Sequence, residues 1–213
     1  MNNIHWCQVA PESALQNTAL CSPFLQTQDG YHSNRVSVYI DGANFLYGIK
    51  SINERYTDFK FDFESYIKKI VGQRYLVSVY YYNASLKQQI NPESFRKQQQ
   101  FFARLVKIHR FNVILCKRQR RTNKDGKEFF TIKGDDIHLA IDMLRDAYEN
   151  KYDTSILISG DGDFAPLVRQ VKMLGKMVEN YHFEGNISLD LLKECDMNAV
   201  ISKKIANKFF LRR

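Results

Sequence analysis

Long apolar runs are missing from this 213-residue sequence: none approaches the roughly 20 residues that a helix needs to cross a bilayer. The opening, MNNIHWCQVAPESALQ, lacks the basic start and apolar centre of a secretory signal, so a cytoplasmic protein with no membrane partner is expected. Cysteine is sparse. Its four copies, Cys7, Cys21, Cys116 and Cys195, are scattered without the close pairing of a zinc site, and are expected to be reduced thiols, two of them in the core. The histidines (His5, His32, His109, His138 and His182) share no element and no metal spacing. No repeat and no second domain is visible. What the chain does have is 44% hydrophobic content, enough for one sizeable core, and a formal charge of +8, which favours a polyanionic partner such as nucleic acid.

The most informative stretch is Thr154–Leu167, TSILISGDGDFAPL. A short apolar strand runs into Gly160-Asp161-Gly162-Asp163, and helical spacing resumes at Phe164, Leu167, Val168 and Val171. Two carboxylates thus stand where a strand ends and a helix begins, which is where ligands collect in an open α/β sheet. On a basic chain they call for a cation of the magnesium type.

The same layout occurs earlier. Val36–Ile40 reads as a strand that delivers Asp41, followed by Gly42, Ala43 and Asn44 and a short helix over 45–49. One such acid is ordinarily a helix N-cap, but two at parallel strand ends suggest a shared site. Further along, 61–71 predicts an amphipathic helix and 75–82 a strand. Asn91-Pro92-Glu93 opens a helix to about His109 with Phe95, Phe102, Leu105 and Val106 inward, and 111–116 is a third strand. A basic run follows, with Lys117, Arg118, Arg120, Arg121 and Lys124; its Asp125-Gly126 signals a hairpin whose returning strand is 128–133. Such a run is either a solvated surface or a phosphate-gripping loop.

Lys133-Gly134-Asp135-Asp136 opens a helix to about Tyr148, in which Asp136, Ala140, Met143 and Ala147 form one stripe. That stripe directs Asp136 toward the sheet, and His138, two residues on, faces away from it. Asp142 suits a packing role. Strands are expected over 176–181 and 198–201, with a short helix over 189–193 between them. Residues 1–34 read as a flexible or loosely docked N-terminal arm, and 203–213 as a basic tail that Ile205, Phe209 and Phe210 incline toward docking.

Three motifs, IDGANF at 40–45, KGDDIHLAIDML at 133–144 and ISGDGDFAPLVRQVKMLGKMV at 158–178, resemble the NYN domain of the LabA-like proteins, within the PIN-like nuclease superfamily. The resemblance spans residues 35–202. It implies a three-layer α/β/α sandwich with a central, mostly parallel sheet of the PIN-like or Rossmann-like kind, and metal-dependent cleavage of RNA. The family's acids fall on Asp41, Asp136, Asp161 and Asp163, and its asparagine on Asn44. Asp135 stands where the family usually carries an apolar residue, as an additional ligand or an exposed cap.

Phosphodiester hydrolysis needs an activated water and neutralised phosphate charge, which divalent ions such as Mg²⁺ or Mn²⁺ supply from oxygen ligands. The expected assignment puts Asp41, Asp136, Asp161, Asp163 and Asp135 on metal, with Asn44 positioning phosphate or water. Lys133, Arg118, Arg120, Arg121, Lys117 and Lys124 would hold the nucleic-acid backbone. The substrate is expected to be RNA, with single-stranded DNA as the alternative, and an aromatic content of 13% leaves a homo-oligomer open. Two rival readings stand beside this one: a nucleic-acid-binding regulatory adaptor with a weak or inactive site, and a phosphatase using Asp161 as nucleophile. The second fits poorly, because its paired acids belong on the first strand and here they lie on a late one.

Overall fold

Alternation within the first strand already sorts the molecule into layers. In β1 (Arg35–Asp41), Val36, Val38 and Ile40 point to one side of the sheet and Tyr39 to the other, all fully buried. A strand covered on both faces belongs at the centre of a sandwich. The computed structural model, which describes residues 34–122 and 128–211, bears this out.

The elements follow in the order β1, α1 (Gly42–Ile52), α2 (Phe63–Val71), β2 (Tyr75–Ala84), α3 (Pro92–Leu105), β3 (Phe111–Thr122), β4 (Glu128–Lys133) and α4 (Asp135–Tyr148). Then come β5 (Thr154–Ile158), α5 (Ala165–Met173), β6 (Met177–Phe183), α6 (Leu189–Glu194), β7 (Met197–Ile201) and α7 (Lys203–Phe209). The sheet order is β4-β3-β2-β1-β5-β6-β7. Every neighbouring pair is parallel except β3 with β4, which is antiparallel. Helices α1, α2, α3 and α7 supply one core layer with Phe45, Phe63, Phe101 and Phe209; α4, α5 and α6 supply the other with Met143, Val168 and Leu191. The fold is the expected α/β sandwich with a mostly parallel sheet.

Strand order matters most at the centre. From β1 the chain builds outward through β2 and β3, then returns to lay β5 against the opposite edge of β1. The connections leaving β1 and β5 therefore diverge, and a crevice opens between the carboxyl ends of these two strands. Asp41 and Ser159 lie at its two lips, because Ile40 pairs with Ile158.

Several boundaries differ from the sequence reading. Helix α1 begins at Gly42, since Asp41 itself is its N-cap. Helix α3 stops at Leu105; Val106 is exposed, Phe101 is buried and Phe95 only half-buried. The chain then turns with Arg110 in the left-handed region at φ 62°, which ends any helix there. Strand β3 continues through the basic run to Thr122 and pairs with β4, so the hairpin is longer than expected. Helix α7 packs into the body: Phe209 is buried, Phe210 stacks on Tyr56 at 3.9 Å, and the Asp62 amide donates to the Phe209 carbonyl at 2.7 Å. Cys116 and Cys195 are buried free thiols. The expected N-terminal arm lies outside the described residues. Among the described residues, no helix is long and apolar enough to cross a membrane.

Candidate metal centre

Asp41 is where the crevice becomes chemically specific. As the last residue of β1 and the N-cap of α1 it has each carboxylate oxygen engaged: Oδ1 accepts from the Asn44 amide at 2.9 Å, and Oδ2 from the Ser159 hydroxyl at 3.0 Å. The side chain is almost wholly buried. Burial pushes its pKa up to about 7, against the pull of those two hydrogen bonds and with a further push from the charges on Asp136 and Asp135. Two donors are already in place, yet burial outweighs them, and a bound cation would reverse that balance.

Helix α4 brings the other acids. Gly134 caps it at φ 87°, a backbone conformation that a side chain would strain, and, having no side chain, offers the first-turn amides no acceptor of its own. Asp135 and Asp136 occupy that first turn, where the helix dipole favours negative charge. Asp41, Asp135 and Asp136 converge, with one carboxylate oxygen from each lying within 4.8 Å of the others. Asp136 is open to water on one side, yet burial of the rest, then the charges of Asp135, Asp161 and Asp163, raise it to about 6. Its placement departs from the sequence reading in one respect: the buried stripe of α4 is Leu139, Met143 and Ala147, and Asp136 sits exposed at the stripe's open end.

Three hard oxygen donors, from one buried, one half-buried and one exposed side chain, suit a hard divalent cation. Their mutual repulsion is the physical reason to expect one. Asp135, read from the sequence as either ligand or cap, belongs to this trio.

Asp161 and Asp163 lie outside that trio but close enough to raise the pKa of Asp136. Asp161 caps a single 3₁₀ turn, Gly162–Phe164, by accepting from the Asp163 amide at 3.0 Å, while its own amide donates to Ser159 Oγ at 3.1 Å. Asp163 is exposed and lines a cleft of about 290 Å³ with Arg169, Asp190 and Lys193. Asn44 has a structural duty: its Oδ1 accepts from the Gly160 amide at 3.0 Å and from Asn186 Nδ2 at 3.1 Å. Asn44 thereby ties together the loops after β1, β5 and β6.

Sequence reasoning missed Ser159, Asn186 and Ser188. Ser159 follows Ile158, the last residue of β5, and a hydroxyl between a strand and Gly160 was the available signal. Asn186 and Ser188 carried none, because their part is set by the approach of their loop: a Cβ on Gly160 would stand 1.5 Å from the Asn186 carbonyl oxygen. Lys117 is exposed on β3. The side chains of Arg118, Arg120, Arg121 and Lys133, and the whole of Lys124, lie outside the described residues. Asp142 has a packing role, accepting from the Tyr82 hydroxyl at 3.0 Å and pairing with Arg145 at 2.8 Å. His138 is exposed.

The family model described as the NYN domain matches residues 35–202. Among solved structures, a protein of unknown function from Vibrio parahaemolyticus is 24% identical with a TM-score of 0.65, covering 88% of this chain and 100% of that one; the likeness is one of fold. MurG from Acinetobacter baumannii is 12% identical, covers 78% of this chain and 41% of that one, and has a TM-score of 0.38. No curated protein is matched by the chain.

Proposed function

This chain belongs to the NYN domain family, and from that premise we propose that it is a metal-dependent nuclease that hydrolyses phosphodiester bonds of RNA. The observation that carries the reading is the convergence of Asp41, Asp135 and Asp136 in the crevice between β1 and β5. NYN domains are generally nucleases, and the motifs of this chain resemble those of the LabA-like group within the family.

In this reading Asp41, Asp135 and Asp136 hold Mg²⁺ or Mn²⁺, with Asp161 and Asp163 ligating or orienting water from the other lip. The bound ion supplies Lewis-acid neutralisation of the phosphate and a water of lowered pKa. Asp41 is held in its rotamer by the Asn44 amide and Ser159 hydroxyl, so its carboxylate need not reorganise when the cation arrives. Lys117 and the basic β3–β4 hairpin hold the nucleic-acid backbone beside the crevice, the hairpin leading directly into α4 and its acids.

The test is cleavage of a labelled single-stranded RNA with Mn²⁺ or Mg²⁺, against chelator and against Asp41→Asn and Asp161→Asn. Removing a ligand costs more than the 10–100-fold typical of groups that merely support ligands, so Asp41→Asn is expected to lower the rate more than about 100-fold. RNA binding with no metal-dependent cutting by the wild type would replace the nuclease with the regulatory adaptor. Cleavage that survives Asp41→Asn would show the crevice to be the wrong site.

A further inference from the structure

Helix α4 has two apolar faces, and the sheet uses only one. Leu139, Met143 and Ala147 are buried in the core. On the opposite side Ile137, Ile141, Leu144 and Tyr148 form a second stripe, with Ile137 64%, Ile141 55% and Tyr148 79% exposed. At 100° per residue these four fall within about 60° of arc. An ordinary surface helix is polar there, and a helix apolar on both sides belongs in an interior. Beside it, Met173 at the end of α5 and Leu174 just after it extend the patch, and the two helices frame a groove of about 570 Å³ rimmed by Arg145 and Gln170.

Two features identify the occupant. The first is spacing. The steps along the stripe are four, three and four residues, which read the same in either direction and match the a/d seam of paired helices. Two copies of α4 laid antiparallel about a twofold axis set Ile137 against the other copy's Tyr148, and Ile141 against its Leu144. Such self-complementarity is what an isologous contact requires. The second is area. At about 200 Å² for a fully exposed large apolar side chain, the six apolar residues present roughly 700 Å². That exceeds the ~300–600 Å² of the largest patch on a typical monomer and approaches the ~800 Å² per partner of a stable interface.

We infer that this chain forms a twofold homodimer through α4 and α5, with Ile141 and Leu144 at its centre. The proposal does not depend on the nuclease reading. Asp136 of each copy would lie at opposite ends of the helix pair, separated by about 20 Å along its axis at 1.5 Å per residue. The two crevices are therefore built separately, each from one chain.

Sedimentation velocity of the full chain from about 1 to about 100 µM tests it directly. The wild type is expected to sediment as a dimer. Ile141→Glu and Met173→Glu, both at exposed positions that leave the core untouched, are expected to weaken association more than about 100-fold, since each sets a charge in a dry apolar contact. Unchanged far-ultraviolet circular dichroism and an unchanged Mn²⁺-induced rise in melting temperature would show that each variant is folded with its crevice intact. A monomeric wild type would overturn the proposal and leave the stripe to a different protein. A dimer that survives both substitutions would overturn it as well, by placing the interface elsewhere.

Discussion

Burial of its carboxylate makes Asp41 a reporter of what its crevice needs. Its pKa of about 7 lies above the ordinary carboxylate value, as do those of Asp136 and Asp58 at about 6. Groups raised on folding stabilise the protein below the unfolded pKa of about 4, and that contribution is lost as pH rises through 6 and 7. Metal-free protein is therefore expected to melt at progressively lower temperature between pH 5 and pH 8. Asp41→Asn should flatten this decline and melt higher than wild type at pH 8 in chelator, because asparagine caps a helix as well as aspartate and carries no charge. Asp58, bonded to the Tyr81 hydroxyl at 2.5 Å, remains as the background in both proteins. A variant that melts lower at pH 8 would mean that the charge on Asp41 is already compensated. The converse applies to the cation: its affinity, followed by calorimetry, should rise about tenfold per pH unit for each proton displaced, two (from Asp41 and Asp136) below about pH 6 and one between pH 6 and 7. Asp41 and Asp161 stood out in the sequence because strand, acid and small residue recur at 40–43 and 158–162. That Asp161 and Asp163 lie outside the trio of Asp41, Asp135 and Asp136 did not. Which carboxylates touch depends on the rotation of α4 about its axis, and that is fixed by Leu139 and Met143 in the core.

Elements came through the sequence where a hydrophobic period was clean, as in β1, β5 and α4. They blurred where charge replaced period. The basic run after Cys116 has no apolar alternation, yet β3 continues through it, because an edge hairpin satisfies its backbone in pairs without needing a buried face. At the crevice, three loops depend on contacts that no single segment encodes. Asn44 accepts from Gly160 and Asn186, and Ser188 donates its amide to the Gly160 carbonyl at 3.0 Å. Asn44→Ala strands these donors and is expected to cost about 1–3 kcal/mol in chemical denaturation. Gly160→Ala is expected to cost at least about 2 kcal/mol, since its Cβ must displace backbone rather than a flexible side chain. Both should also reduce metal-dependent activity, by letting Ser159 and Asp41 drift apart. If Gly160→Ala melted like wild type, the loop after β6 would not be packed on the strand end as described.

At the scale of the molecule, charge and topology act together. The chain carries an excess of eight positive charges while its crevice gathers Asp41, Asp135 and Asp136, so the positive excess belongs to residues outside that trio. Such a charge would attract a polyanion over a long range, and a divalent cation held by Asp41, Asp135 and Asp136 would offset the negative charge of the crevice. The hairpin of β3 and β4 is the densest basic segment, and it ends at the residue before the Gly134 cap of the acid-bearing helix. If it grips phosphates, replacing Arg118, Arg120 and Arg121 by serine must weaken RNA binding in a salt-dependent way. Each lost contact on a single strand removes about 0.7 from the slope of log affinity against log salt, so the triple variant should lose up to about 2. Binding is the place to look, because the three arginines lie on the strand pair and not in the carboxylate trio. At saturating RNA the cleavage rate should hold while half-saturation shifts upward. An unchanged slope would make the run solvated surface and move the phosphate path to other cations, whereas a falling rate at saturation would bring the hairpin into the reaction itself.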